Sequence, residues 1–169
     1  MSDVKVRARP KSLKTLVELL NESAAEFKDE PALGTKLPSG EWKWHSFREF
    51  ATLVDETRAG LAALGVGHGD KVALISDNRV EWAALAFGAY GLGAVIVPMY
   101  QAQLPSEWEF ILTDSETKVV AGATKEIHAQ LREIAGRLTS IQHVLGFDLP
   151  ESDEASFGAL VKRGRAAPV

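Results

Sequence analysis

The chain has 169 residues, a formal net charge of −4 and 46% hydrophobic residues, a composition typical of a single globular domain with a sizeable core. The negative charge gives no electrostatic reason to expect nucleic acid or an anionic membrane as a partner. Cysteine is absent, which excludes disulfides, zinc–thiolate sites and thiol nucleophiles within these residues. No apolar run reaches the roughly 18 residues of a membrane-spanning helix. We therefore expect a soluble, cytoplasmic protein.

The sequence divides into two parts. Residues 1–14 contain five basic side chains (Lys5, Arg7, Arg9, Lys11 and Lys14) and no periodic apolar pattern. We interpret this segment as a flexible, solvated N-terminus. Residues 15–169 carry the patterns of one α/β unit.

Two helix starts are marked by capping boxes, in which a hydroxyl stands three residues before a glutamate. The pairs are Thr15 with Glu18 and Ser46 with Glu49. Apolar side chains follow each pair at helical spacing, and Pro31 ends the first of these patterns.

Between the two helices, residues 32–36 and 41–45 flank a Leu-Pro-Ser-Gly turn and predict a β-hairpin. Trp42 and Trp44 would share one face of its second strand. We interpret this pair as core or edge packing rather than as a ligand-stacking platform.

From Asp70 onward, short apolar runs alternate with amphipathic segments. Strands are predicted at residues 71–75, 94–98, 118–123 and 143–147. Helices are predicted at 79–90 and at 127–138. Another helix is predicted to open at residues 104–106 and to continue through Leu112, and a short one is predicted at 157–161. This alternation predicts a three-layer α/β fold: a mostly parallel, doubly wound sheet with helices on both faces, preceded by a helix and a β-hairpin.

Glycine-rich turns are the main candidates for nucleotide loops. The run from Gly65 to Gly69 lies between a helix and a strand, whereas a dinucleotide-binding loop lies between a strand and a helix. We therefore interpret it as a helix end and a tight turn, and Gly93 receives the same interpretation. The segment from Ser76 to Arg79 does follow a strand, and there Asp77 or Asn78 is expected to cap the next helix.

Metal and catalytic clusters are not indicated. The four histidines show no i, i+3 or i+4 pairing and no carboxylate at ligand spacing. We therefore assign no catalytic, cofactor-binding or metal-binding residue.

Four segments resemble the N-terminal portion of AMP-forming acyl-CoA synthetases, members of the adenylate-forming superfamily. The first two are Trp44–Phe50 (WHSFREF) and Gly93–Tyr100 (GAVIVPMY). Ser76–Trp82 (SDNRVEW) resembles the long-chain fatty acid–CoA ligases in particular, although Val80 stands where proline is common. Pro98–Gln101, followed by Ile-Leu-Thr-Asp-Ser at 111–115, is similar to the same branch.

The resemblance implies a two-step reaction in the full-length enzyme. A fatty acid attacks the α-phosphate of ATP to give acyl-AMP, and coenzyme A then takes the acyl group and releases AMP. ATP, Mg²⁺ and coenzyme A are thus the cofactors of the full-length enzyme, and none is expected to bind the present chain. The phosphate loop of the family would follow Val169. Tyr100 and Gln101 are implied as neighbours of the acyl site.

Two alternatives remain open. One is a ligase for another acid, or a fatty acyl-AMP ligase that lacks the coenzyme A step. The other is a stand-alone α/β binding domain that is not an enzyme. The sequence is also compatible with peripheral membrane association. We expect self-association if surface normally covered by later segments is exposed.

Overall fold

A computed structural model describes residues 15–169. The predicted flexible segment 1–14 lies outside the described residues. Six helices and six strands follow one another in the described part: α1 (Leu16–Phe27), β1 (Pro31–Lys36), β2 (Trp42–Ser46), α2 (Phe47–Ala63), β3 (Lys71–Ile75), α3 (Val80–Gly91), β4 (Val95–Met99), α4 (Pro105–Asp114), β5 (Val119–Gly122), α5 (Lys125–Ala135), β6 (His143–Gly146) and α6 (Phe157–Ala166).

The last four strands form one parallel sheet in the order β4-β3-β5-β6. Ala73 of β3 pairs with Val97 on one side and with Val120 on the other. All four residues of β5 are buried, as expected for a parallel sheet covered on both faces. Strands β1 and β2 form a separate antiparallel hairpin. The predicted α/β architecture is confirmed.

The strand order divides the helices between two layers. The chain passes from β3 to β4 in one direction, and from β4 through β5 to β6 in the other. Right-handed crossovers therefore place α3 on one face of the sheet and α4 and α5 on the opposite face. Helix α2 packs against α1, α3 and α6, so these four helices form a single layer.

Helices α2 and α6 cross at an unusually short separation. A Cβ atom placed on Gly164 would overlap the carbonyl oxygen of Glu56 and lie 2.6 Å from the backbone nitrogen of Gly60. A Cβ atom on Gly60 would in turn overlap the carbonyl oxygen of Leu160. The two helices thus touch backbone to backbone, and glycine at both positions makes this possible. Beside the crossing, Arg165 donates two hydrogen bonds to the carboxylate of Glu56, at 2.7 and 2.9 Å.

The capping boxes and the glycine turns form the structures that the sequence predicts. Both capping boxes form, with Thr15 accepting from the N–H of Glu18 and Ser46 from that of Glu49. The glycine turns lead from helices into strands, and Gly65, Gly69 and Gly93 have φ values of 78°, 82° and 68°. These left-handed conformations suit glycine and fit the interpretation of the turns as structural.

The turn before β3 is held by a partly buried ion pair that makes the free energy of unfolding depend on pH. The Asp70 carboxylate accepts hydrogen bonds from Lys118 Nζ and from the Gly67 N–H, both at 2.8 Å. Lys118 and then Gly67 lower the pKa of Asp70. Because this pKa lies below the unfolded value of about 3.9, the stabilisation is fully present above that value. It is lost as the pH falls through the folded pKa.

We therefore predict that Asp70→Asn lowers the free energy of unfolding at neutral pH by about 1–2 kcal/mol. The difference from the unsubstituted chain should shrink on acidification below about pH 4, as the latter loses the same interaction. Urea denaturation across pH provides the measurement. Asp29→Asn is the matched control, because Asp29 is exposed and pairs with Arg48 at 3.4 Å, so its effect should be near zero. Equal losses for both variants would contradict the prediction.

Candidate functional site

The candidate site is the edge of the sheet at which the parallel strands end. In open parallel sheets, ligands bind outside the carboxyl ends of the strands, where the strand order reverses. Here the reversal lies between β3 and β5. Residues 76–79 follow β3, residues 100–104 follow β4, and Phe147 and Asp148 follow β6.

The two residues predicted to neighbour an acyl site lie on the loop after β4. Met99, the last residue of β4, pairs with Ile75, the last residue of β3. The loops after these strands therefore begin side by side. Tyr100 is 80% exposed, and Gln101 is partly buried. The structure thus places both at the carboxyl edge, and their role in substrate binding stays a prediction.

The backbone of Tyr100 is fixed on both sides. Its N–H donates to Oε1 of Gln103 at 3.0 Å, and its carbonyl accepts from Nε1 of the buried Trp108 at 3.0 Å. A buried indole N–H needs an acceptor, and this requirement is what ties the loop to α4. The exposed phenol ring is therefore carried on a constrained backbone.

The start of α3 differs from the sequence prediction. Neither Asp77 nor Asn78 caps the helix. The N-cap is Arg79, whose backbone is extended, and no side chain caps the free N–H groups. The prediction was wrong because four residues, 76–79, separate the end of β3 from the start of α3, and the last of them takes the N-cap position. The Ser76 hydroxyl instead donates to the Asp77 carbonyl at 2.8 Å.

Arg79 links two loops of the edge, a feature that the sequence did not reveal. Its Nε donates to Oε2 of Glu81 and its Nη1 to Oδ1 of Asp148, both at 2.9 Å. Its guanidinium also lies 5.3 Å from the ring centre of Phe147. Burial is the largest single influence on Glu81 and opposes its ionisation, but the hydrogen bond from Arg79, a backbone hydrogen bond and the positive charge of Arg79 together lower the pKa of that carboxyl. The guanidinium is therefore engaged by carboxylates of this chain.

A groove of about 740 Å³ lies beside Glu81, between the inner face of the hairpin and α6. Its floor is apolar and includes Leu53, Phe157 and Val161. Glu81 is paired with Arg79, and Arg165, also at the groove, is paired with Glu56. These charges stabilise the fold locally and form no arrangement for acid–base chemistry.

Within residues 15–169 the structure shows neither a metal-binding cluster nor a glycine-rich loop at a helix N-terminus. Within residues 15–169, no group of three or more His, Asp or Glu side chains could hold a metal ion. The glycine turns precede strands rather than helices, so their N–H groups do not lie at a helix N-terminus. At the start of α5, Thr124 accepts the free N–H of Ile127. No step of a reaction is therefore derived from this part of the chain.

Helices long and apolar enough to cross a membrane are not found between residues 15 and 169.

Comparison with known proteins gives the family. Residues 20–166 match the model of the AMP-binding enzyme family. "Probable CoA ligase CCL9" of Humulus lupulus is 39% identical over 139 residues, which are 82% of this chain and 25% of that protein. "Long-chain-fatty-acid--CoA ligase FadD15" of Mycobacterium bovis is 32% identical over 120 residues, which are 70% of this chain and 20% of that protein.

A solved structure is similar to this chain in fold and in sequence. The inhibitor-bound N-terminal domain of FACL13 from Mycobacterium tuberculosis superposes with a TM-score of 0.72 at 28% identity, covering 92% of this chain and 36% of that one. The chain thus spans about a quarter or less of the two curated relatives. Because the family model matches most of its length, the chain belongs to the AMP-binding enzyme family.

Proposed function

We propose that this chain forms the N-terminal α/β subdomain of an AMP-forming acid–CoA ligase that acts on long-chain fatty acids in the cytoplasm. The full-length protein would convert a fatty acid and Mg²⁺-bound ATP into acyl-AMP and pyrophosphate, and coenzyme A would then displace AMP. The match of residues 20–166 to the AMP-binding enzyme family carries the proposal. The name of the FadD15 relative supports the long-chain acid as substrate.

In this proposal the present residues act as scaffold. The sheet and the α2–α6 layer hold the carboxyl-edge loops, and the loop after β4 presents Tyr100 toward the acyl site. The phosphate-binding and catalytic groups would come from segments beyond Val169. The absence, within residues 15–169, of any group of three or more His, Asp or Glu side chains that could hold a metal ion supports this division.

Pyrophosphate exchange tests the proposal. The full-length protein should exchange labelled pyrophosphate into ATP when a long-chain fatty acid is added, and should form acyl-CoA when coenzyme A is present. The 169-residue chain alone should do neither. Exchange without any acyl-CoA would favour a fatty acyl-AMP ligase, and exchange with only a different acid would favour another acid–CoA ligase. A full-length protein with no exchange for any acid would contradict the proposal.

Tyr100 provides a residue-level prediction. In the full-length enzyme, Tyr100→Ala should raise KM for the fatty acid about tenfold, because an aromatic contact with the acyl chain is lost. KM for ATP should stay unchanged. Phe110→Ala is the matched control, since Phe110 is also an exposed aromatic residue (70%) but lies on α4, away from the loop. Equal KM values for the fatty acid in Tyr100→Ala and the parent enzyme would show that Tyr100 does not contribute to binding the fatty acid.

Self-association of the chain also stays a prediction. Strand β4 lies at one edge of the described sheet, and Val95 at its start is half exposed. An apolar edge strand of this kind tends to associate. A dilution series in small-angle scattering should show a radius of gyration that rises with concentration. A constant radius near the monomer value of about 15 Å would contradict this expectation.

A further inference from the structure

Arg79 connects two loops of the carboxyl edge whose strands are not neighbours. It follows β3, whereas Asp148 follows β6, and β5 lies between these two strands in the sheet. Adjacent strands are about 4.8 Å apart, so the two loops begin roughly 10 Å from each other. The side chain of Arg79 therefore crosses the carboxyl end of β5. It also crosses the point between β3 and β5 at which the strand order reverses.

The guanidinium is divided between two carboxylates on different segments. Its Nε donates to Oε2 of Glu81, in the first turn of α3, and its Nη1 donates to Oδ1 of Asp148, both at 2.9 Å. The side chains of Arg79 and Glu81 are 28% and 33% exposed, so both are mostly out of solvent. The pair with Glu81 holds Arg79 in a fixed position relative to α3, and the pair with Asp148 joins that position to the loop after β6.

The loop after β6 is bonded to the end of β5 by the two residues that Arg79 contacts. The backbone N–H groups of Phe147 and Asp148 donate to the carbonyls of Gly122 and Ala123, at 2.9 and 3.1 Å. The ring of Phe147 is buried, and its centre lies 5.3 Å from the guanidinium of Arg79. Arg79 therefore supports the segment of the loop that lies against the sheet.

Net stability is a poor explanation for this arrangement. A partly buried ion pair loses hydration, and that loss offsets much of the attraction between the charges. Hydrogen-bonded charges at fixed distances instead favour one arrangement of the segments that carry them. This matters at an edge where ligands bind, because a displacement of about 1 Å can lower a reaction rate by about a hundredfold.

We propose that Arg79 is a positioning residue for the ligase reaction. It fixes the loop after β6 to the start of α3, so that the loops of the carboxyl edge keep one arrangement while acyl-AMP forms. The inference rests on the proposed ligase function. It goes beyond that function by giving a role to a residue that acts through these loops rather than by contact with the substrates.

Kinetics of the full-length protein test this role. Arg79→Met keeps a long unbranched side chain but removes both ion pairs, and it should lower kcat for pyrophosphate exchange about tenfold or more. KM for ATP and for the fatty acid should change less than about twofold, because a residue that does not touch the substrates contributes no binding energy. Arg79→Lys keeps the charge but lacks the planar fork, so it should recover kcat only in part.

Two further variants complete the comparison. Asp148→Ala should also lower kcat, and the double variant R79M/D148A should be no slower than Arg79→Met, because both changes remove the same link. Arg137→Met is the matched control. Arg137 follows α5 and donates two hydrogen bonds to Glu109 of α4, each at 2.8 Å. This pair also joins two segments, but it lies away from the carboxyl edge, where α5 begins, and its loss should leave kcat unchanged.

Hydrogen exchange measures the link without catalysis. In the full-length protein, the amides of Phe147 and Asp148 should exchange at least about fivefold faster in Arg79→Met than in the parent, because the loop opens more often. Arg137→Met should leave these amides unchanged. A parent protein that catalyses no pyrophosphate exchange would contradict the proposed ligase function and, with it, the positioning role. The exchange of these amides would still show whether Arg79 holds the loop.

Other outcomes would overturn the positioning role in an active enzyme. Faster amide exchange with an unchanged kcat would make Arg79 a purely structural residue. A lower kcat with unchanged amide exchange, or a KM for the fatty acid raised about tenfold, would show that Arg79 acts on the substrates directly. An equal loss of kcat in Arg137→Met would assign the effect to general destabilisation.

Discussion

Gly164→Ala should destabilise the chain by about 3 kcal/mol or more, enough to unfold a domain of ordinary stability. The new methyl group would overlap the carbonyl of Glu56 and crowd the backbone nitrogen of Gly60. Both atoms belong to the backbone of α2, so neither can rotate away. The helices would have to separate, and the burial of Leu160 between them would be lost along with the backbone contact.

The matched control lies in the same helix. A Cβ atom on Gly158 would approach the Cγ of Glu151, at 2.7 Å. This neighbour is part of a flexible side chain that can move at little cost, and alanine favours the helix by up to about 1 kcal/mol. Gly158→Ala should therefore leave the free energy of unfolding nearly unchanged. Urea denaturation of both variants is the measurement, and similar midpoints would contradict the backbone contact between α2 and α6.

Leu74→Ala should lower the free energy of unfolding by roughly 3–4 kcal/mol. Leu74 is fully buried on β3, the strand that pairs with both β4 and β5. The paired strands on both sides fix the backbone, so the surroundings can close the resulting cavity only in part. The loss therefore includes a cavity contribution in addition to the lost transfer free energy.

Leu104→Ala serves as the control for this substitution. Leu104 is 64% exposed and precedes α4, so the same change there removes little buried area. We expect a loss below about 0.5 kcal/mol. If the two variants have equal midpoints in urea, β3 is not the centre of the core.

The sequence predicts elements whose signals are local. The capping boxes at Thr15 and Ser46 form as predicted, and β3 has the predicted bounds of 71–75. Pro105 begins α4 as expected from its fixed φ angle. In each case the residues that determine the element are within a few positions of one another, so one chain segment contains the whole signal.

Features that depend on contacts between distant segments were not predicted from the sequence. Helix α6 runs to Ala166 rather than ending near Val161, because Gly164, normally unfavourable inside a helix, is stabilised by its contact with α2. Arg79 and Asp148 are 69 residues apart, and no sequence pattern joins them. The order of the strands in the parallel sheet likewise depends on which helix and sheet faces can be buried against each other. The sequence analysis therefore did not predict this order.

The α2–α6 crossing also has a consequence for how the protein folds. Glu56 and Arg165, which meet beside it, are 109 residues apart. Closing a loop of that length costs about 4 kcal/mol of chain entropy before the contact forms. During synthesis α2 leaves the ribosome long before α6, so the part of its surface that α6 covers stays exposed until α6 has been made. A growing chain in this state exposes surface that chaperones bind, and formation of this helix layer should be limited by the arrival of α6.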